Sequence, residues 1–213
     1  DASSPEAVEA LRRWKGRDDQ QPISILVSGA DQLKSLGVNA STLARALIEA
    51  FWPGPLTLVL PTDPIKMTQD LALGIARRDG AVGFRCPQHP LAQSLVAAAE
   101  TLGVGPLTAT SLNRSGEPNV LDSEEAEQIC KDSDGELFFL EMSQALGAGQ
   151  GLEQGLGQGL EQGLEQPQGP APEASNQAST VVDLCKDELV VLREGAVGHD
   201  ELNLVLKSVS ICE

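Results

Sequence analysis

The sequence predicts one α/β domain built on a mixed, twisted β-sheet, and three observations carry that expectation. Short apolar runs of strand type alternate with amphipathic, Ala- and Leu-rich stretches along most of the 213 residues. Proline or glycine punctuates most of the junctions between them. No repeat of long period recurs, which argues against a solenoid or propeller. The composition, 22 % charged and 41 % apolar, suits a globular domain of ordinary size. No apolar run approaches the roughly 18 residues of a membrane span, and no basic–apolar–small leader is read at the start.

The elements follow in chain order. Ser4 before Pro5 marks a helix N-terminus, with the serine as cap and the proline at the first helical position. After Gln21-Pro22 comes ISILV, a first strand. Asn39 or Ser41 caps a helix that runs to about Phe51 and stops at Trp52-Pro53-Gly54. LTLVL (56–60) and AVGFR (81–85) are the next strands. A helix over 90–102 ends before Gly103, where a left-handed cap is expected. PLTATS (106–111) is a fourth strand running into the polar turn LNRSGEP. A weaker helix near 123–130, a strand LFFL, strands STVVDL and LVVL, and a helix near 200–207 complete the series.

Charge and composition divide the chain unevenly. Residues 1–120 carry 11 Lys/Arg against 12 Asp/Glu, whereas residues 121–213 carry 4 against 19. The net charge of −16 therefore belongs to the C-terminal part, and a local basic pocket remains open to the first half. Four widely spaced cysteines and two histidines support neither a disulfide framework nor a Cys/His zinc site, so no metal site is expected. A reducing cytoplasm is the compartment that fits. Five GxxQ tetrads over 147–166, then PQGPAPEASNQ, form a low-complexity stretch without Lys or Arg. A glycine in every tetrad costs a helix about 1 kcal/mol each, so disorder is the expectation there. The predicted organisation is thus a core over 1–146, an insertion over 147–178, and a return to the same domain over 179–213.

Neither GxxxxGK[ST] nor GxGxxG occurs, and no GxSxG nucleophile elbow is found. Small polar clusters remain, each at a strand end or in a turn. Lys15-Gly16-Arg17 sets two cations around a glycine at a helix exit, which suits a phosphate chain or simply a helix dipole. Arg85, at the end of an apolar strand in RCPQHP, needs an anion, internal or bound. The run 108–116, TATSLNRSG, offers hydroxyls and an amide for phosphate, ribose or helix capping. Ser179-Thr180 before VVD, and Arg193-Glu194-Gly195 after LVVL, are two further clusters.

Taken in order, KGR, PGPLT, RCPQHP, PLTATSLNRSG, STVVD and LREG resemble the YrdC-like family, the threonylcarbamoyl-AMP synthases. The match spans about 5–209 apart from the insertion. The resemblance implies a YrdC-like/RibB-like α/β fold whose sheet lines a deep basic cleft. It implies a nucleotidyltransferase that condenses L-threonine, bicarbonate and ATP to threonylcarbamoyl-AMP and pyrophosphate. The product would pass to a tRNA threonylcarbamoyl transferase. Mg²⁺ is expected to accompany ATP. Carried over by position, Lys15, Arg17, Gln21, Ser111, Asn113, Asn119 and Arg193 would serve ATP, with Lys15 and Arg17 the catalytic cations. Arg85, the Ala109 backbone and Ser179 would hold threonine.

Three positions depart from the family pattern: Leu112 within SLN, Gln21 in place of an asparagine, and Leu26 in place of a histidine on the first strand. The family's T-x-T-V-Y-G-L front motif is not found, and the sequence has no tyrosine. The resemblance places that motif ahead of Asp1, and the chain without it is expected to be less stable and nearly inactive. The alternative reading is a non-catalytic module on the same fold that binds double-stranded RNA or tRNA, with weak RNA binding expected in either case. Few aromatics and the acidic second half weigh against it. A carbamoyl-adenylate module of a hydrogenase-maturation carbamoyltransferase is a third reading, for which acylphosphatase and zinc-finger segments are lacking.

A flexible Gly-rich stretch of about 30 residues spans roughly 30 Å, enough to cross a small domain without straining its ends. Lengthening such a loop costs only about 0.6 kcal/mol per doubling. Deleting 151–166 should therefore leave ATP affinity and turnover within about twofold and move the melting temperature by a few degrees. A tenfold fall in turnover with unchanged melting would show instead that the segment works as a lid.

Overall fold

The computed structural model describes residues 1–16, 22–63, 65, 70–120, 122–133, 137–139, 177–186 and 188–210. Two compact units divide the chain, Asp1–Asn119 with Ser175–Glu213, and Val120–Ala174. In order, the elements are α1 (Pro5–Lys15), β1 (Ser24–Leu26), α2 (Ala30–Ser35), α3 (Thr42–Phe51), β2 (Leu56–Leu60), β3 (Val82–Arg85), α4 (Pro90–Thr101), β4 (Thr108–Ala109), α5 (Ser123–Lys131), β5 (Thr180–Asp183), β6 (Val190–Arg193) and α6 (His199–Ser210). The α/β class is as expected.

The helix ends obey local chemistry. Ser4 accepts a hydrogen bond from the Ala7 amide at 3.1 Å, and Gly16 closes α1 at φ +62°. Ser41, not Asn39, caps α3 through the Ala44 amide at 3.1 Å. In α4 the His89 ring caps the N-terminus, and Gly103 adopts the expected left-handed backbone at φ +67°.

Six strands form one mixed sheet in the order β4-β1-β3-β2-β5-β6. β1 with β3, and β2 with β5, run parallel, and the other three pairs run antiparallel. Side chains alternate across the two faces of a strand. Ile25, Leu56, Leu58, Leu60, Phe84 and Val182 are almost completely buried and join one core cluster with Val8, Leu33, Leu47 and Leu202 from the helices. Ser24, Leu26, Thr57, Val59, Gly83, Arg85, Val181 and Asp183 fall on the opposite face. That face carries the candidate site.

Three expectations change. Residues 137–139 of LFFL are not a strand, and Phe138 is 91 % exposed; an apolar run becomes a strand only where a neighbour supplies ladder bonds. The strand expected over 106–111 pairs only at Thr108–Ala109, because the chain beyond it turns and gives its carbonyls to Lys15. Helix α2 was not expected; its six residues are too few to show a helical period, and it buries only Leu33. In the second unit, α5 is capped by Asp122, which accepts from the Glu124 and Glu125 amides. The disorder expected for the insertion falls on 147–176, which lie outside the described residues, as do Arg17 and Gln21.

The C-terminal strands are locked to the rest by close backbone approach. Thr180 is 1 % exposed; its hydroxyl donates to the Val197 carbonyl at 2.7 Å and accepts from the Val197 amide at 3.0 Å. A Cβ on Gly195 would lie 2.2 Å from the Ala178 carbonyl oxygen and 2.6 Å from the Thr180 nitrogen. Backbone on backbone cannot yield there. Gly195→Ala should therefore cost stability by about 1–3 kcal/mol, read as an earlier urea midpoint. A midpoint unchanged from the parent would show that the 178–180 segment can shift freely.

Candidate active site

A cavity of about 400 Å³ lies against the sheet face opposite the core. One transverse row of the sheet builds its floor. Register places Leu26 beside Arg85, Arg85 beside Thr57, Thr57 beside Val181, and Val181 beside Arg193. All five line the cavity. The next row contributes Ser24, Gly83 and Val59, and the walls include Ala109, Ser111, Asn119 and Ser179.

Arg85 is the least compensated charge in this site. Its Nε is buried without a hydrogen-bond partner, and it forms no salt bridge among the described residues. Burial first, and the charge of Arg193 second, push its pKa below the usual guanidinium range. Guanidinium does not deprotonate in proteins. An anion in the cavity would relieve this cost.

Arg193 and Ser179 form a second anchor. The guanidinium donates to the Ser179 carbonyl at 2.8 and 3.1 Å and to its hydroxyl at 3.0 Å. The Ser179 hydroxyl also lies 3.0 Å from that of Thr57, and both side chains are buried. A hydroxyl pair flanked by two arginines is an anion-binding constellation.

The third arginine is neutralised. Arg77 donates to Asp183 at 2.5 Å and to Asp79 at 3.0 and 2.5 Å. Burial alone would raise the Asp183 pKa, but the hydrogen bond from Arg77 and the Cys185 amide more than offset it, leaving the carboxyl below its usual range. Beside that carboxylate, burial and then Asp183 push the Cys185 thiol up to about 12. The three described cysteines, Cys86, Cys130 and Cys185, are unpaired.

The turn after β4 is held from below. Lys15 is 2 % exposed and its ammonium donates to the carbonyls of Ser111 and Asn113, at 2.9 and 2.5 Å, and to Asn113 Oδ1 at 2.7 Å. Asn113 Oδ1 also accepts from the Ser111 hydroxyl at 2.6 Å, while its Nδ2 donates to the Glu117 carbonyl. Lys15 and Asn113 are therefore not among the cavity-lining residues; they fix the turn that presents Ser111. Of the sequence-predicted residues, Arg85, Ala109, Ser111, Asn119, Ser179 and Arg193 meet around one cavity. Sequence reasoning missed Ser24, Gly83 and Arg77, and gave Thr57 no role. Thr57 was the recoverable one, since a hydroxyl buried in an apolar strand must find a hydrogen-bond partner.

Among the described residues no group of three His, Cys, Asp or Glu is placed to hold a metal, and no helix is long and apolar enough to cross a membrane.

Comparison with known proteins bears on this arrangement. The sequence model of the Sua5, YciO and YrdC family, described as telomere recombination, matches residues 1–144. The chain belongs to this family. A Bacillus subtilis protein named threonylcarbamoyl-AMP synthase is 28 % identical over 99 % of this chain and 50 % of its own length. A Mycobacterium tuberculosis protein is 31 % identical over 97 % of this chain and 76 % of its own. Pyrococcus abyssi Sua5, whose crystal structure is complexed with L-threonine, superposes with a TM-score of 0.68 at 27 % identity, covering 96 % of this chain and 49 % of that one. The chain thus spans about half the length of the Bacillus and Pyrococcus Sua5-type proteins.

The Arg77–Asp183 pair makes a pH prediction. A carboxyl held below its ordinary value stabilises the fold above that value, near 4, and loses the contribution as pH falls through its folded pKa. Arg77→Gln should destabilise by about 1–3 kcal/mol at pH 7, because it leaves a partly buried carboxylate without its cation. The deficit should shrink as pH drops below about 4. Urea melts of parent and variant at pH 7 and pH 3 check it; a deficit independent of pH would assign the loss to packing.

Proposed function

We propose that this chain condenses L-threonine, bicarbonate and ATP to L-threonylcarbamoyl-AMP and pyrophosphate, for threonylcarbamoyladenosine synthesis in tRNA. The observation that carries the reading is the uncompensated Arg85 beside the Thr57–Ser179 hydroxyl pair, facing one cavity with Arg193. The names of the Bacillus relative and of the threonine-bound Pyrococcus structure support it.

The chemistry asks the protein to hold two anions together. The threonine amine takes up the carbon of bicarbonate with loss of water, giving a carbamate. A carbamate oxygen then attacks the α-phosphorus of ATP and pyrophosphate leaves. No protein nucleophile is consumed, so the demand is for positioning and charge. Arg85 takes the threonine carboxylate, with Ser179 and the Ala109 backbone completing that end. Ser111, Asn119 and Arg193 face the nucleotide. Lys15 and Asn113 act through the turn they hold, and the family resemblance gives Arg17 and Gln21 to ATP. Mg²⁺ would be bound through the ATP phosphates and would offset their charge; Asp183 is committed to Arg77. The product passes to a tRNA-modifying transferase, in the cytoplasm. A purely RNA-binding role is not favoured, since 3 % aromatics do not suit base stacking and the acidic residues 121–213 do not suit broad phosphate tracking.

The protein should release pyrophosphate from ATP only when both L-threonine and bicarbonate are present. Equal release without bicarbonate would point to another carboxylate substrate. Arg85→Ala should weaken threonine binding by about 30-fold or more and ATP by less than threefold, because truncating one partner of a buried charged pair costs about 2–5 kcal/mol. Calorimetric titration with each ligand decides it, and equal loss of both would remove the separate threonine end.

A further inference from the structure

The threonine end of the cavity has a neighbouring row that no role above uses. Ser24 on β1 and Val59 on β2 flank Gly83 on β3, and register sets Val59 beside Gly83. Gly83 lies two residues from Arg85 on the same strand and face, so the two positions are about 7 Å apart along the floor. An amino acid whose carboxylate meets Arg85 can reach this row with its side chain.

Two features of the row suit a small hydroxylated, branched side chain. The Ser24 hydroxyl lines the cavity and has no hydrogen-bond partner among the described residues. It leans over Gly83: a Cβ built there would stand 3.0 Å from Ser24 Oγ and 3.6 Å from Thr57 Cγ2. That contact is tighter than a methyl group normally makes, so any side chain at 83 would crowd Ser24, whereas glycine leaves the Ser24 hydroxyl open to the cavity. Val59 supplies an apolar wall on the other side.

Resting on the threonine reading, we infer that Ser24 is a specificity-determining residue that hydrogen-bonds the substrate's side-chain hydroxyl above Gly83, with Val59 against its methyl group. Arg85 supplies affinity for any α-carboxylate; Ser24 separates threonine from the same skeleton without oxygen. A net hydrogen bond of ordinary strength corresponds to roughly threefold to tenfold in affinity.

The test is a cycle between Ser24 and the ligand's hydroxyl. Ser24→Ala should weaken L-threonine about threefold to tenfold in calorimetric titration and leave L-2-aminobutyrate, which lacks the hydroxyl, within twofold. Equal weakening of both ligands, or of neither, would overturn the assignment. Gly83→Ala keeps the Ser24 hydroxyl but fills the space before it. It should weaken threonine while leaving ATP binding intact, and it decides the matter should Ser24→Ala not fold; unchanged threonine affinity there overturns the inference. A parent chain that binds neither amino acid would instead overturn the threonine reading on which this rests.

Discussion

The parallel pairing of β2 with β5 is the constraint on which the rest of the molecule depends. It joins Thr57 to Val181 across 124 positions of sequence and adds the C-terminal segment to the sheet beside β2. With it come Ser179, whose hydroxyl meets Thr57, and β6, which brings Arg193 to the end of the same row. The Pro55 carbonyl accepts from the Thr180 amide at 2.9 Å, so the pairing begins at the Pro-Gly-Pro corner. The glycine there is required, since a Cβ on Gly54 would lie 2.3 Å from the Phe51 carbonyl oxygen. The entry to β2 is fixed, and β5 is fixed to it.

One sheet does two jobs because its faces differ in period-two register. The inner face of β1, β2, β3 and β5 is apolar apart from Thr180 and almost completely buried, and its helical partners cover it. The outer face interrupts that pattern with a serine, a threonine, a glycine, an aspartate and two arginines. Glycine and aspartate are poor strand formers, and charged side chains on a covered strand face carry a desolvation cost. The cost of Arg85 in particular falls to whatever anion fills the cavity. The fold thus stores an unmet electrostatic demand at its centre, while the nearby Arg77 shows how the same residue looks when carboxylates answer it.

Much of the architecture was legible from the chain. The serine caps of α1 and α3, the proline starts, the left-handed Gly103 and the strands at 56–60 and 82–85 follow from local chemistry that neighbours in sequence supply. Ladder partners were not legible. LFFL has the composition of a strand without a place in the sheet, and 106–111 is cut short by a lysine almost a hundred residues away. Helix α2 is too brief to announce itself. Of the candidate site, the motifs at 85, 111, 179 and 193 could be named because each is a polar cluster at a strand end.

What the sequence by itself determined was therefore the class of the fold, most of its elements, the family and the anion-handling character of the site. Those depend on periodicity, capping and ordered short motifs, all of which are properties of neighbouring residues. Only the tertiary structure decided how the charges are spent. Lys15 and Arg85 read alike in the sequence, each a cation at the end of an element. In the fold, Lys15 is surrounded by carbonyl oxygens of one turn and becomes a fastener, whereas Arg85 faces a cavity with its Nε unanswered. The role of a buried charge is set by the groups that long-range register places around it, and register is not written in any one segment.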